Sequence, residues 1–367
     1  MKFGLFYVLE SPDGDYQRAY SEMFGQIEYA EELGFDSVWL AEHHGSPYGS
    51  MPSGAVAAAA VAKITERMRI GMAVAILPFN NPVRTAEDYA MVDVISGGRL
   101  DMGVGRGYQP MEFRNLGLAD KQQHSREIFR ESLDVLIGLW ENERFSYQGK
   151  WYQLDDVSIA PRPVQQPRPP ITIAAISPST FELVDRYDLN VMVTPTLMDL
   201  PTLKGFVLAA KKRLIANGRT PESLNFPLNW QMHLAETSEE AFARPAEALD
   251  WYFDLVMDVV PKGASAPKGY EFMRDTAAEF EERGGVDIRA LNDSGIIMLG
   301  TPAEAIAKLA ELRDDIGQQE VFCWMRIGGL SDAKVRASMK LFAEEVLPRF
   351  AGEEIVVPAE LEGAVPS

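Results

Sequence analysis

The sequence predicts an α/β protein, a (β/α)8 TIM barrel with insertions after strands 4 and 7. Three observations predict it. Short apolar runs alternate with longer helical patterns almost from end to end, the runs number eight, and several are apolar throughout, as strands buried on both faces are. Eight such repeats favour a closed barrel over an open doubly wound sheet.

The first strand is Lys2–Val8, and Tyr20–Leu33 follows as a helix closed by Gly34, a residue free to take the left-handed turn that ends a helix. Strand two is Ser37–Ala41, followed by the helix Ala55–Thr65. Strand three, Arg69–Leu77, leads to the helix Ala86–Ile95, stopped by Ser96-Gly97-Gly98. Strand four, Arg99–Val104, and the helix Ser125–Trp140 precede the first insertion. There Glu143–Pro170 reads as a hairpin and then extended chain, because Pro161, Pro163, Pro167, Pro169 and Pro170 deny it regular structure. Strands five and six, Ile171–Ala175 and Asn190–Thr194, alternate with the helices Pro178–Tyr187 and Leu200–Asn217. Strand seven, Leu228–Ala235, leads to the helix Ser238–Val256, which opens on the capping residues Thr237-Ser238-Glu239-Glu240. Met257–Asp293 is the second insertion. Ala303–Arg313 opens on Thr301-Pro302-Ala303-Glu304, with a capping Thr, Pro at the first helical position and Glu three residues after the Thr. Strand eight is Glu320–Ile327. One domain is expected over 1–350, with an acidic, flexible tail over 351–367.

Composition narrows the function. The 367 residues carry 54 acidic and 35 basic side chains, a net charge of −19 that repels nucleic acid in the absence of a basic patch. A single cysteine, Cys323, excludes a disulfide framework. No apolar run approaches the ~20 residues of a membrane helix, and Met1–Val8 lacks the cleavage site of a signal peptide. A cytoplasmic enzyme with no membrane partner is expected.

In such a barrel, functional residues gather where strands end. After strand two stand Glu42-His43-His44. Strand alternation sends Glu42 and His44 to one side and His43 to the other, giving the imidazoles different roles. One reading is a general base held by a carboxylate; the other is a histidine pair that supports the loop. Only His124 and His233 remain as further histidines, so no metal site is expected. After strand four, Gly105-Arg106-Gly107-Tyr108 offers a forked cation on a tight turn, or simply a glycine turn with a surface ion pair. After strand five, Ile176-Ser177-Pro178-Ser179-Thr180 opens a helix whose free N–H groups suit an anion, or are merely capped by Ser. On strand three, Gly71, Ala73 and Ala75 leave room for something flat, or for close helix packing. Trp39, Trp230, Met232, Trp324 and Met325 read first as core. No Gly-x-Gly-x-x-Gly follows strand one, which disfavours a dinucleotide fold.

Taken in order, these places resemble the bacterial luciferase-like flavin-dependent monooxygenase superfamily, most of all the luciferase α-subunit. The matching run begins with Lys2-Phe3-Gly4 and Gly34-Phe35-Asp36-Ser37-Val38-Trp39-Leu40-Ala41-Glu42-His43-His44. It continues through Leu77-Pro78, Asn81-Pro82-Val83-Arg84, Ser96-Gly97-Gly98-Arg99-Leu100 and Gly105-Arg106-Gly107. Pro161 to Pro170, Ser177-Pro178-Ser179-Thr180 and Gly300-Thr301-Pro302 extend it. The resemblance implies a barrel binding reduced FMN, FMNH2, with O2 as co-substrate activated at the flavin C4a as a peroxide. It implies oxygenation of a small, largely apolar substrate such as an aldehyde, ketone or sulfonate.

The resemblance also assigns residues. His43 takes the place of the catalytic histidine, with His44 and Glu42 beside it. Arg106, Ser177 and Thr180, with the backbone of Tyr108 and Ile176, match the FMN phosphate site. Ala73-Val74 matches a non-proline cis peptide beneath the isoalloxazine, and Met257–Asp293 a mobile lid. A separate NAD(P)H:flavin reductase is implied as partner, since no pyrophosphate cradle for a nicotinamide is recognisable, and a homodimer is expected. Two departures stand out: Gly105 replaces the α-subunit's reactive cysteine, and Ile176 its phosphate-site glutamate. Light emission is not expected. The alternatives are an F420-dependent oxidoreductase on the same fold and a non-catalytic flavin-binding subunit; Glu42-His43-His44 disfavours the latter.

Overall fold

A computed structural model describes residues 1–174, 180–195, 198–259 and 286–362 of the chain. Its centre is a curled α/β sheet. The strands are β1 (Lys2–Tyr7), β2 (Ser37–Leu40), β3 (Arg69–Met72), β4 (Ala75–Ile76), β5 (Leu100–Gly105), β8 (Ile171–Ala174), β9 (Asn190–Met192), β10 (Leu228–Leu234), β11 (Ile297–Gly300) and β12 (Glu320–Trp324). They run in the order β11-β10-β12-β1-β2-β3-β5-β8-β9, with β4 beside β5, and every ladder among them is parallel. A separate antiparallel hairpin, β6 (Phe145–Gln148) and β7 (Gln153–Val157), forms where one was expected after β5.

The curl turns its ends toward each other. Val193 bridges Leu228, and two backbone hydrogen bonds join them: Val193 N–H to Pro227 O and Asn229 N–H to Val193 O, each 2.9 Å. β12 lines the first half of β10 and β11 the second. At Leu228 both Val321 and Val193 are paired, so they lie on opposite edges of β10.

Two differences from the expected strands have local causes. The long third strand is interrupted at Ala73–Val74, whose peptide is cis, and resumes as the two residues of β4. Ile297–Gly300 adds an unexpected strand, because four apolar residues before a helix cap carry too little periodicity to betray one.

The helices begin and end where the capping residues direct. α1 (Tyr16–Leu33) ends on Gly34 at φ 92°, α2 covers Gly54–Ile64, and α3 (Pro82–Ser96) starts on the Asn81 cap and ends on Gly97 at φ 69°. α4 (Pro110–Asn115) and α5 (Ser125–Glu141) follow β5, α6 (Phe181–Tyr187) follows β8, and α7 is Leu200–Ala216. The helix expected over Ser238–Val256 is two, α8 (Ser238–Ala243) and α9 (Ala246–Val259), because Pro245 removes a donor and clashes with the turn before it. In the helix Pro302–Ile316 both arms of the capping box between Thr301 and Glu304 are made. The acidic C-terminal stretch carries a short helix, Ala359–Glu362, whose Leu361 is buried in the core.

Strand alternation sorts the core into two clusters. Leu5, Tyr7, Val38, Leu40, Leu228, Trp230 and Val321 pack under the helices. Phe6, Val8, Trp39, Ala41, Phe322 and Trp324 face inward, where Tyr252 and Phe253 of α9 join them. Gly71 sits on that inner face because the Trp39 indole fills its side: a Cβ there would lie 2.1 Å from the ring. The room expected beside Gly71 is therefore occupied by protein. Among the described residues, no helix is long and apolar enough to cross a membrane.

Candidate active site

A cavity of about 270 Å³ opens at the C-terminal ends of the strands. Its lining includes Phe6 and Val8 from β1 and its loop, Glu42 and His43 after β2, Ala73 and Val74 before β4, and Gly105 to Tyr108 at and after β5. Thr180 lies at its edge, as the residue before α6. Of the residues expected at the site, Ile176 and Ser177 lie outside the described residues, as does 260–285 of the expected lid.

The two histidines divide as strand alternation requires. His43 lines the cavity and its Nδ1 meets Glu112 Oε1 at 3.0 Å; His44 turns away and its Nε2 meets Glu42 Oε1 at 2.9 Å. A carboxylate only accepts, so each imidazole donates at that nitrogen. His43 thereby holds its Nδ1 proton toward Glu112, and its Nε2 makes no hydrogen bond among the described residues. Glu112 Oε1 also accepts the backbone N–H of His44 at 3.0 Å, and Glu42 Oε2 accepts that of Ile76 at 3.0 Å. Glu42 thus ties the β2 loop to β4, and the His44 ring stands edge-on to Phe79 at 5.3 Å.

Sequence reasoning missed Glu112. It is 1% exposed, on α4, and only the fold brings it to His43. Its one local signal is position: Gln109-Pro110-Met111-Glu112 opens a helix directly after the Gly-Arg-Gly turn. The Tyr48 ring stands edge-on to His43 at 4.7 Å, and Gln109 Nε2 donates to the Tyr108 hydroxyl at 3.3 Å. Burial pushes the Tyr48 and Tyr108 phenols well above their ordinary pKa, so both stay protonated.

The cavity lining is also cationic: Arg106, Arg126 and Arg130 belong to it, the last two four residues apart on one face of α5 and also unforeseen. Arg130 pairs with Glu182 at 2.9 Å, whereas Arg126 makes no ion pair among the described residues. Two lining positions are glycine by necessity. A Cβ on Gly105 would stand 2.3 Å from Val74 Cγ2, and one on Gly107, at φ +75°, 2.9 Å from Ile76 Cγ2. The arrangement suits a ligand with a flat apolar end and an anionic end, beside a histidine that can take a proton.

Comparison with known proteins bears on the family and the fold. The family model described as luciferase-like monooxygenase matches residues 1–319. The oxygenase component of flavin-dependent trigonelline monooxygenase from Acinetobacter baylyi is 26% identical over 366 residues, covering 97% of each chain. A 206-residue stretch, 55% of this chain, is 36% identical to an uncharacterised protein of Sinorhizobium fredii and spans 58% of that relative. The oxygenating constituent of 3,6-diketocamphane monooxygenase from Pseudomonas putida, solved in complex with FMN, superposes with a TM-score of 0.75 at 20% identity. That alignment covers 98% of this chain and 99% of the other.

Proposed function

The chain belongs to the luciferase-like monooxygenase family, whose members among its relatives are flavin-dependent monooxygenases, and on that footing we propose that it is the oxygenase component of a two-component system using reduced FMN. The observation that carries this reading is the cavity itself, whose lining combines three arginines, Ala73–Val74 and the His43–Glu112 pair. We read the curled sheet as the family's eight-stranded barrel, with β3 and β4 one interrupted strand and β11 an addition.

The residues fit the cofactor by chemistry. Arg106 and Arg126 supply the fork geometry that suits a phosphate, with Thr180 and, from the family resemblance, Ser177 and the backbone of Tyr108 and Ile176. Ala73 and Val74 offer apolar surface to the ring system. Reduced FMN, when bound, supplies the electrons that activate O2 so that one oxygen atom enters the substrate. His43 takes or returns a proton at the substrate through Nε2, Glu112 holds its tautomer, and Glu42 with His44 fixes the loop that carries it.

Electrons reach such a component from outside, so the partner is an NAD(P)H:flavin reductase; the relative from A. baylyi is named an oxygenase component. A homodimer agrees with the exposed apolar side chains Met91, Val94 and Ile95 on α3 and Val56 on α2. The test is anaerobic titration with reduced FMN and, separately, F420, followed by O2. Tight binding of reduced FMN and no hydride transfer to F420 or from its reduced form support the proposal. Binding of F420 alone makes the chain a deazaflavin oxidoreductase. Binding of reduced FMN without oxygenation of any of a panel of aldehydes, ketones and sulfonates makes it a flavin-binding subunit.

A further inference from the structure

Part of the cavity wall is apolar: Phe6, Val8, Met192 and Trp324 present aromatic or aliphatic surface. Asn229 interrupts it. This residue stands on the inner face of β10, between Leu228 and Trp230, which turn outward into the main core. Its backbone N–H is used at the seam with Val193. Its side chain is not used. Asn229 is 9% exposed, its Oδ1 is buried without a hydrogen-bond partner, and its carboxamide makes no hydrogen bond among the described residues.

Leaving such a group unpaired costs about 1–3 kcal/mol, and Val or Leu would serve an apolar wall without that cost. A carboxamide in that place is explained by a ligand that completes it. Across the seam only β9 and β8 stand between β10 and the β5 strand that leads to Arg106, so what separates the cofactor's anionic end from Asn229 is charge: the arginines carry the countercharge and the carboxamide carries none. Nor does Asn229 suit another ion, because a carboxamide carries no charge. What matches is a neutral oxygen function, which a carboxamide can meet as donor or acceptor.

We propose that Asn229 sets substrate orientation by donating from Nδ2 to one carbonyl or hydroxyl oxygen on an otherwise apolar substrate held against Phe6, Met192 and Trp324. This rests on the oxygenase reading for its meaning, but its test is binding and not turnover. The FMN-loaded chain is titrated by ligand-observed NMR with shape-matched pairs that differ in one oxygen: cyclohexanone against methylenecyclohexane, and acetophenone against α-methylstyrene. The wild type should favour the ketone of each pair about tenfold, the value of one hydrogen bond in a buried site. Asn229→Leu should bring the ratio to within twofold, chiefly by weakening the ketone. Asn229→Ser, which keeps a hydroxyl in a smaller side chain, should retain part of it, and serves alone if the Leu variant does not fold. A wild type without ketone preference, or an Asn229→Leu protein that keeps it, overturns the proposal. If the oxygenase reading fails instead, reduced FMN and O2 yield no oxygenated product while the ketone preference persists.

Discussion

His43 Nδ1 and Glu112 Oε1 lie 3.0 Å apart although 69 residues separate them in the chain. One arrives on the loop after β2 and the other on a six-residue helix after β5, so the pair exists only once both strands are laddered into one sheet.

If the two act as a unit, their losses should not add. His43→Ala should lower product yield by ~10²-fold or more while FMN still binds. Glu112→Ala should cost nearly as much, and the double variant no more than the worse single one. Product quantified per reduced FMN supplied decides it. Multiplied losses in the double variant would show two independent roles.

The cationic lining predicts selective loss of affinity. Arg106→Ala and Arg126→Ala should each weaken FMN about tenfold to a hundredfold, the ~1.5–3 kcal/mol of a charged partner to a phosphate. Riboflavin, which lacks the phosphate, should bind these variants as it binds the wild type. Equal losses for both ligands in a fluorescence titration would place the arginines elsewhere.

Gly105 is required by its neighbour. The 2.3 Å approach to Val74 Cγ2 means that Gly105→Ala should destabilise the fold by about 1–3 kcal/mol in urea unfolding, as overpacking does. Adding Val74→Ala should recover most of it. A double variant no more stable than Gly105→Ala alone would mean that the glycine serves the backbone and not the space.

At the other end of the sheet, burial raises the Glu320 carboxyl to about 7, opposed by the hydrogen bond from Asn225 Nδ2 at 2.8 Å. A carboxyl whose pKa is raised on folding holds a proton that the unfolded chain releases. Stability should therefore fall as pH rises from the ordinary carboxylate range through 7, and then level off. Glu320→Gln should flatten that slope and leave the protein more stable than wild type at pH 8, by on the order of 2–3 kcal/mol. Chemical denaturation between pH 5 and pH 8 reads this directly. A variant less stable at pH 8 would show that the ionised carboxylate is tolerated through Asn225.

What the sequence made legible was local. Gly34, Gly97 and the Thr301–Glu304 box ended or opened helices where their side chains dictated, and the opposite facing of His43 and His44 followed from alternation alone. What escaped was tertiary. Apart from the place of Glu112 at the start of a helix after the Gly-Arg-Gly turn, nothing around it or Arg126 distinguishes either from a solvated helix residue until the helix is placed at the cavity. The same holds for Gly71, whose small size looked like room for a ligand until Trp39, 32 residues earlier, was seen to fill it.

The seam at Val193 and Leu228 has a mechanical meaning. A continuous ring of strands fixes its bore, because strand number and stagger set the diameter. A ring slit along one line is released from that constraint: it can widen at the slit by giving up two backbone hydrogen bonds, while the ladders that tie β1 to β12 and to β2 stay whole. Changes of side-chain bulk in the lumen are then absorbed at β9 and β10 before they reach His43 or Arg106. Such a ring can be re-bored for new cargo from one side only, and Asn229 stands on that side.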